Sequence, residues 1–146
     1  MEKKIRTLAE LETEAAHFVA GLVPRENGAT LVALSGELGA GKTAFTKATA
    51  HALGISEVIN SPTFVLEKIY QLGSEASKFK RLIHIDAYRL SKGSDLAPLG
   101  FDEIMSDPGN LVLLEWPEKV LEALPEPVAR ISFVARPDGS RTLSYD

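Results

Sequence analysis

Gly36-Glu37-Leu38-Gly39-Ala40-Gly41-Lys42-Thr43 completes the pattern G-x-x-x-x-G-K-[ST], and its flanks supply the setting that pattern needs. At ordinary residue frequencies its constrained positions coincide by chance in about one chain in 200 of this length. Upstream, Thr30-Leu31-Val32-Ala33-Leu34-Ser35 is an apolar run of strand length. Downstream, residues 44–53 read as a helix, with Gly54 as its C-terminal stop. A strand, a glycine loop and a helix in that order form a phosphate cradle. The glycines let successive backbone N–H groups point inward, and the helix N-terminus adds partial positive charge. In such a cradle Lys42 reaches the β- and γ-phosphates and the Thr43 hydroxyl ligates a magnesium ion. The motif therefore predicts a nucleoside triphosphate site, and a P-loop NTPase fold with it.

The rest of the chain extends this frame. Thr7-Leu8-Ala9-Glu10 has the spacing of a capping box, and Leu8, Leu11, Ala15, Phe18, Val19 and Leu22 follow at helical spacing. A first helix therefore precedes the loop-bearing strand, with Glu26-Asn27-Gly28 as the turn. Residues 64–72 and 79–85 read as strands joined by a polar spacer, which predicts an antiparallel pair. A short helix is expected at residues 101–105. Leu111-Val112-Leu113-Leu114 has the continuous apolar character of a central buried strand. Pro117 suits the first turn of a helix running to Leu124. Residues 128–135 and 141–145 flank Pro137-Asp138-Gly139-Ser140, a hairpin turn. The expected architecture is a single three-layer α/β domain over residues 1–146, with a largely parallel sheet, antiparallel additions and a C-terminal hairpin.

Composition narrows the class of function. The 146 residues are 45% hydrophobic and 25% charged, the balance of a soluble globular protein with a real core. With no cysteine there is no disulfide framework, thiolate zinc site or cysteine nucleophile. The charged start Met1-Glu2-Lys3-Lys4-Ile5-Arg6 is not that of a signal peptide, and no apolar run approaches the roughly 18 residues of a membrane span. A cytoplasmic protein without a membrane association is expected. A net charge of −4 with no basic block argues against direct gripping of nucleic acid through many phosphates.

Hydrolysis needs more than a phosphate loop: magnesium needs a second oxygen ligand, and attack needs a positioned water or hydroxyl. Asp86 ends the apolar run Leu82-Ile83-His84-Ile85, and Glu115 ends residues 111–114. Ligands of open α/β sheets collect where such strands end. On spacing alone, each acid is equally readable as a Walker-B-type carboxylate or as an ordinary strand-terminal polar residue.

Four motifs in order make the chain similar to a known family. The phosphate loop, Ser61-Pro62-Thr63-Phe64, His84-Ile85-Asp86-Ala87-Tyr88-Arg89-Leu90 and Glu115-Trp116-Pro117 together closely resemble the bacterial TsaE family, also called YjeE, ATPases of tRNA threonylcarbamoyladenosine biosynthesis. The resemblance runs from the first helix through Pro117. Ala87 stands where a larger apolar residue is more usual, and the C-terminal hairpin carries no family motif. The resemblance implies ATP and Mg²⁺ as cofactors, bound by Glu37, Leu38, Gly39, Ala40, Gly41, Lys42, Thr43 and Trp116, with Thr43 and Asp86 toward the metal. It implies that Lys42, Thr63 and Glu115 serve catalysis: Thr63 senses the γ-phosphate, and Glu115 orients or activates the attacking water. The implied partners are TsaB and TsaD, which transfer the threonylcarbamoyl group, so that tRNA is met only through that complex. His84 is expected to be a hydrogen-bonded structural residue, while Arg89 has phosphate, a partner carboxylate and Asp86 all open to it. Two other functions share the loop. A small-molecule kinase would need a substrate pocket and usually an arginine-bearing lid, and residues 91–110 contain no arginine. A non-hydrolysing nucleotide-dependent binding module is the other. A signalling GTPase is disfavoured, since no Asn-Lys-x-Asp motif occurs.

Overall fold

The computed structural model describes residues 1–55, 66–73 and 78–146. The described residues form a seven-stranded sheet in the order β1-β7-β6-β2-β5-β4-β3. Its strands are β1 (Glu2–Ile5), β2 (Thr30–Gly36), β3 (Glu67–Gln71), β4 (Arg81–Asp86), β5 (Asn110–Glu115), β6 (Ala129–Ala135) and β7 (Arg141–Tyr145). The central strands β4, β5, β2 and β6 run parallel, β3 and β7 run antiparallel to them at the flanks, and β1 pairs antiparallel with β7 at the edge. Buried on both faces, β2 and β5 are the near-continuous apolar runs that a parallel centre demands.

Helices α1 (Leu8–Ala20) and α2 (Lys42–Ala52) cover one face of the sheet; α3 (Phe101–Ser106) and a run of 3₁₀ turns cover the other. On β5, Leu111 and Leu113 enter the first core while Val112 and Leu114 enter the second, the period-2 alternation of a strand between two layers. Phe45 of α2 is fully buried and meets the rings of Phe18 and Phe133, centroids 5.8 and 5.5 Å away, tying α1, α2 and β6 together. The second layer leaves part of its face open, since Arg130, Ser132 and Val134 of β6 are exposed.

Local signals hold at the helix ends. Glu10 N–H donates to Thr7 Oγ1 and Thr7 N–H to Glu10 Oε1, each at 3.1 Å, completing the capping box. Gly54 at φ 87° closes α2, with Gly54 N–H donating to the His51 carbonyl and Ile55 N–H to that of Ala50.

Four readings need correction. Residues 117–124 do not form a helix: two 3₁₀ turns, Pro117–Lys119 and Leu121–Ala123, are separated by Val120 at φ −134°. Val120 is fully buried in the second core, and burying it outweighs continuing a helical ladder. Charged β1 was not read as a strand; it lies at the sheet edge, where only Ile5 is buried. Strand β4 starts at Arg81, with Phe79 buried outside it; β3 covers Glu67–Gln71, and residues 64 and 65 of the expected strand lie outside the described residues. Leu8, read as part of the apolar face, is 65% exposed.

Candidate nucleotide site

The parallel strands bring Gly36, Asp86 and Glu115 to one edge of the sheet, at their carboxyl ends. Asp86 stands in register with Glu115, and Glu115 in register with Leu34. Strand β2 has β5 on one side and β6 on the other, so the phosphate loop leaves the sheet where the winding reverses. Helix α2 begins at Lys42 with Gly41 as its N-cap at φ 114°, and Gly39 sits at φ 79°. These conformations turn the loop around the helix N-terminus, and side-chain-bearing residues adopt them only at a cost. A Cβ at Gly36 would lie 2.5 Å from the Phe133 carbonyl oxygen of β6, so the first glycine is required by the sheet itself.

A cleft of about 460 Å³ lies over this edge. Leu38, Gly39, Gly41, Lys42, Thr43, Asp86, Tyr88, Arg89, Glu115, Trp116 and Arg141 are among its lining residues. Of the expected loop residues, Glu37 and Ala40 do not line it. Ala40 is buried against the first core, and Glu37 contributes backbone, accepting the Ala40 N–H. Ser61, Pro62, Thr63 and Phe64 lie outside the described residues.

The Lys42 ammonium donates to the carbonyls of Gly36 and Glu37 and lies 3.9 Å from the centre of the Trp116 ring. Burial pushes its pKa below the usual lysine value, and the negative charges of Glu115, Glu118, Asp86 and Glu37 oppose that shift. Asp86 is pushed up, first by burial and further by Glu115. The Tyr88 backbone N–H, which donates to Asp86 Oδ1 at 3.0 Å, works against the rise. Thr43 Oγ1 is 3.4 Å from both carboxylate oxygens of Glu115. His84 Nε2 is 2.5 Å from Glu115 Oε2, and both side chains are buried. His84 is hydrogen-bonded, as expected.

Trp116 has φ 61° and ψ 53°, the only positive φ outside glycine among the described residues. For a bulky side chain that conformation is strained by about 1–2 kcal/mol. It turns the ring onto Lys42 on one side, with Tyr88 5.0 Å away between centroids.

Arg141 was not anticipated. It comes from β7 in the hairpin without a motif, lines the cleft, and donates to the Gly39 and Gly139 carbonyls, each at 3.2 Å. No local spacing announces it, because only the sheet order carries β7 to the phosphate loop.

These donors suit magnesium and a triphosphate. Mg²⁺ is commonly bound by one or two carboxylates together with a hydroxyl, waters and substrate phosphates. Thr43 and the strand-end acids supply that set, and no cluster of three or more His, Cys, Asp or Glu able to cage a metal occurs among the described residues.

The family model for "Threonylcarbamoyl adenosine biosynthesis protein TsaE" matches residues 6–143. The chain belongs to the TsaE family. It is 34% identical to the Bacillus subtilis protein named tRNA threonylcarbamoyladenosine biosynthesis protein TsaE, over 97% of this chain and 84% of that one. A Treponema pallidum protein of the same name is 38% identical over 79% of this chain and 80% of its own. The crystal structure of Bacillus subtilis YdiB superposes with a TM-score of 0.77 at 28% identity, covering 99% of this chain and 83% of that one. The TsaE match takes in the first helix, both strand-end acids and most of the hairpin that brings Arg141. Among the described residues, no helix of this TsaE-family chain is long and apolar enough to cross a membrane.

Proposed function

We propose that this chain is a Mg²⁺-dependent ATPase subunit serving threonylcarbamoyladenosine modification of tRNA, through nucleotide-driven regulation of the TsaB–TsaD transferase complex in the cytoplasm. The observation that carries the reading is the convergence of Lys42, Thr43, Asp86 and Glu115 in one cleft, in a chain of the TsaE family. Lys42 and the loop N–H groups hold the β- and γ-phosphates, while Thr43 and Asp86 hold the magnesium side. When bound, Mg²⁺ neutralises phosphate charge. Glu115 accepts a hydrogen bond from water, whose oxygen attacks the γ-phosphorus as the bond to the β–γ bridging oxygen breaks, giving ADP and phosphate. Thr63, which the family resemblance assigns to γ-phosphate sensing, completes the set.

The nucleotide state reaches the partners by displacing contacts. A phosphate that draws the Lys42 ammonium into the cradle competes with the Trp116 ring for it, and Trp116 in turn packs on exposed Tyr88. Loss of the γ-phosphate after hydrolysis then resets the surface beside Tyr88 and Arg89. The net charge of −4 agrees with tRNA contact made through the partners.

Phosphate release from Mg-ATP by the purified chain, alone and with TsaB–TsaD, tests the reading. Weak turnover alone with clear stimulation by the complex is expected. Equal turnover in both conditions, or none in either, overturns the partner-gated ATPase; transfer of phosphate to a small metabolite would make the chain a kinase.

A further inference from the structure

We propose that His84 is a positioning residue for hydrolysis, fixing the orientation in which the Glu115 carboxylate faces the cleft; the inference rests on the ATPase reading above. His84 is 1% exposed and does not line the cleft, so it acts only through what it touches. On β4 it alternates with Ile83 and Ile85, which enter the second core, and so shares the opposite sheet face with Leu82 and Asp86. Glu115, on the neighbouring strand, extends from that same face. An imidazole in so apolar a strand is costly unless partnered, and its partner is the Glu115 carboxylate.

The geometry distinguishes the two oxygens of Glu115. A carboxylate only accepts, so His84 Nε2–H donates to Oε2 at 2.5 Å. Thr43 Oγ1, 3.4 Å from both oxygens, cannot choose between them. The histidine therefore sets the last torsion of a side chain that otherwise has broad freedom at that bond. Oε2 is committed to β4, and Oε1, approached by the Thr43 hydroxyl at 3.4 Å, retains a lone pair for a water in the cleft. A base misplaced by about 1 Å forfeits roughly a hundredfold in rate, so a fixed carboxylate is worth a buried histidine.

The test measures kcat, KM and nucleotide affinity for wild type, His84→Leu, His84→Gln and Glu115→Gln, with the TsaB–TsaD complex present for turnover. Affinity for ATP is read from the fluorescence of Trp116, the only tryptophan in the chain. His84→Leu, which fills the space without a donor, is expected to lower kcat about tenfold to a hundredfold with affinity changed less than about threefold. Glutamine can place an N–H where Nε2 stands, so His84→Gln should recover most of the lost turnover. In the Glu115→Gln background, His84→Leu should cost nothing further, because the two act as a unit. If His84→Leu does not fold, His84→Asn, polar but too short to reach, takes its place with the same expectation. Wild-type kcat in the leucine variant, parallel loss of kcat and affinity, or an additive loss in the double variant would each overturn the positioning role while leaving the ATPase standing. No hydrolysis by wild type, with or without partners, would overturn the ATPase reading and this inference with it.

Discussion

The Lys42 ammonium is held by two loop carbonyls and an aromatic face; burial lowers its pKa, and the carboxylates of Glu115 and Asp86 oppose that shift. Lys42→Ala should therefore weaken Mg-ATP binding at least about tenfold by calorimetry, the loss of a charge-assisted contact to phosphate. Glu115→Gln should bind ATP normally and lose at least about a hundredfold in turnover in a single-turnover assay, the contribution expected of a positioned base. The glycines divide by the demand made on each. Alanine at Gly39 meets nothing within 4 Å and bears only the positive φ of 79°, so it should cost about 1–2 kcal/mol in urea unfolding. Alanine at Gly36 would sit 2.5 Å from a carbonyl oxygen of the adjacent strand, and separating β2 from β6 should cost clearly more. Equal losses at the two sites would show that the sheet contact does not constrain the loop.

Among the elements, the β6–β7 hairpin links stability to the site. Asp138 accepts from the Ser140 N–H and hydroxyl at its tip and pairs with Lys4 of β1 at 3.3 Å. The Ser140 contacts, with Lys4, hold the Asp138 carboxyl well below the usual carboxylate range. A depressed acid stabilises the fold above its unfolded pKa, near 3.8, and that contribution fades as pH falls toward the folded value. Asp138→Ala should therefore lower Tm at pH 7, with the gap to wild type narrowing steadily below about pH 4; a gap independent of pH would assign the effect to packing instead. Elsewhere, elements were legible where they close their own hydrogen bonds. The capping box of α1 and the glycine end of α2 are contained within a few residues, and both stood where the chain announced them. Residues 117–124 were misread because a proline followed by apolar residues states a preference for helix, while Val120 answers to the core beneath it.

For the whole molecule, two cores of different origin flank one sheet. Phe45 joins α1, α2 and β6 behind the phosphate loop, so Phe45→Ala should cost about 3–5 kcal/mol in urea unfolding. Leu121, 67% exposed at the start of the second 3₁₀ turn, should tolerate serine within about 0.5 kcal/mol. A small loss at Phe45 would mean that the layers behind the loop hold together without it. The same assembly creates the cleft, drawing Lys42 from α2, Asp86 from β4, Glu115 from β5 and Arg141 from β7.

The amino-acid sequence alone determined the phosphate loop, the helix caps, the buried central strands and the two strand-end acids. Each depends on backbone conformation or hydrophobic period within a short window, which neighbouring residues encode directly. Only the tertiary structure decided that Glu115 is bound by His84, that Trp116 is turned through a strained backbone onto Lys42, and that Arg141 reaches the loop from the far end of the chain. Those contacts span 31, 74 and 102 positions. They exist because strand order, and not sequence distance, sets which side chains meet at the edge of a sheet.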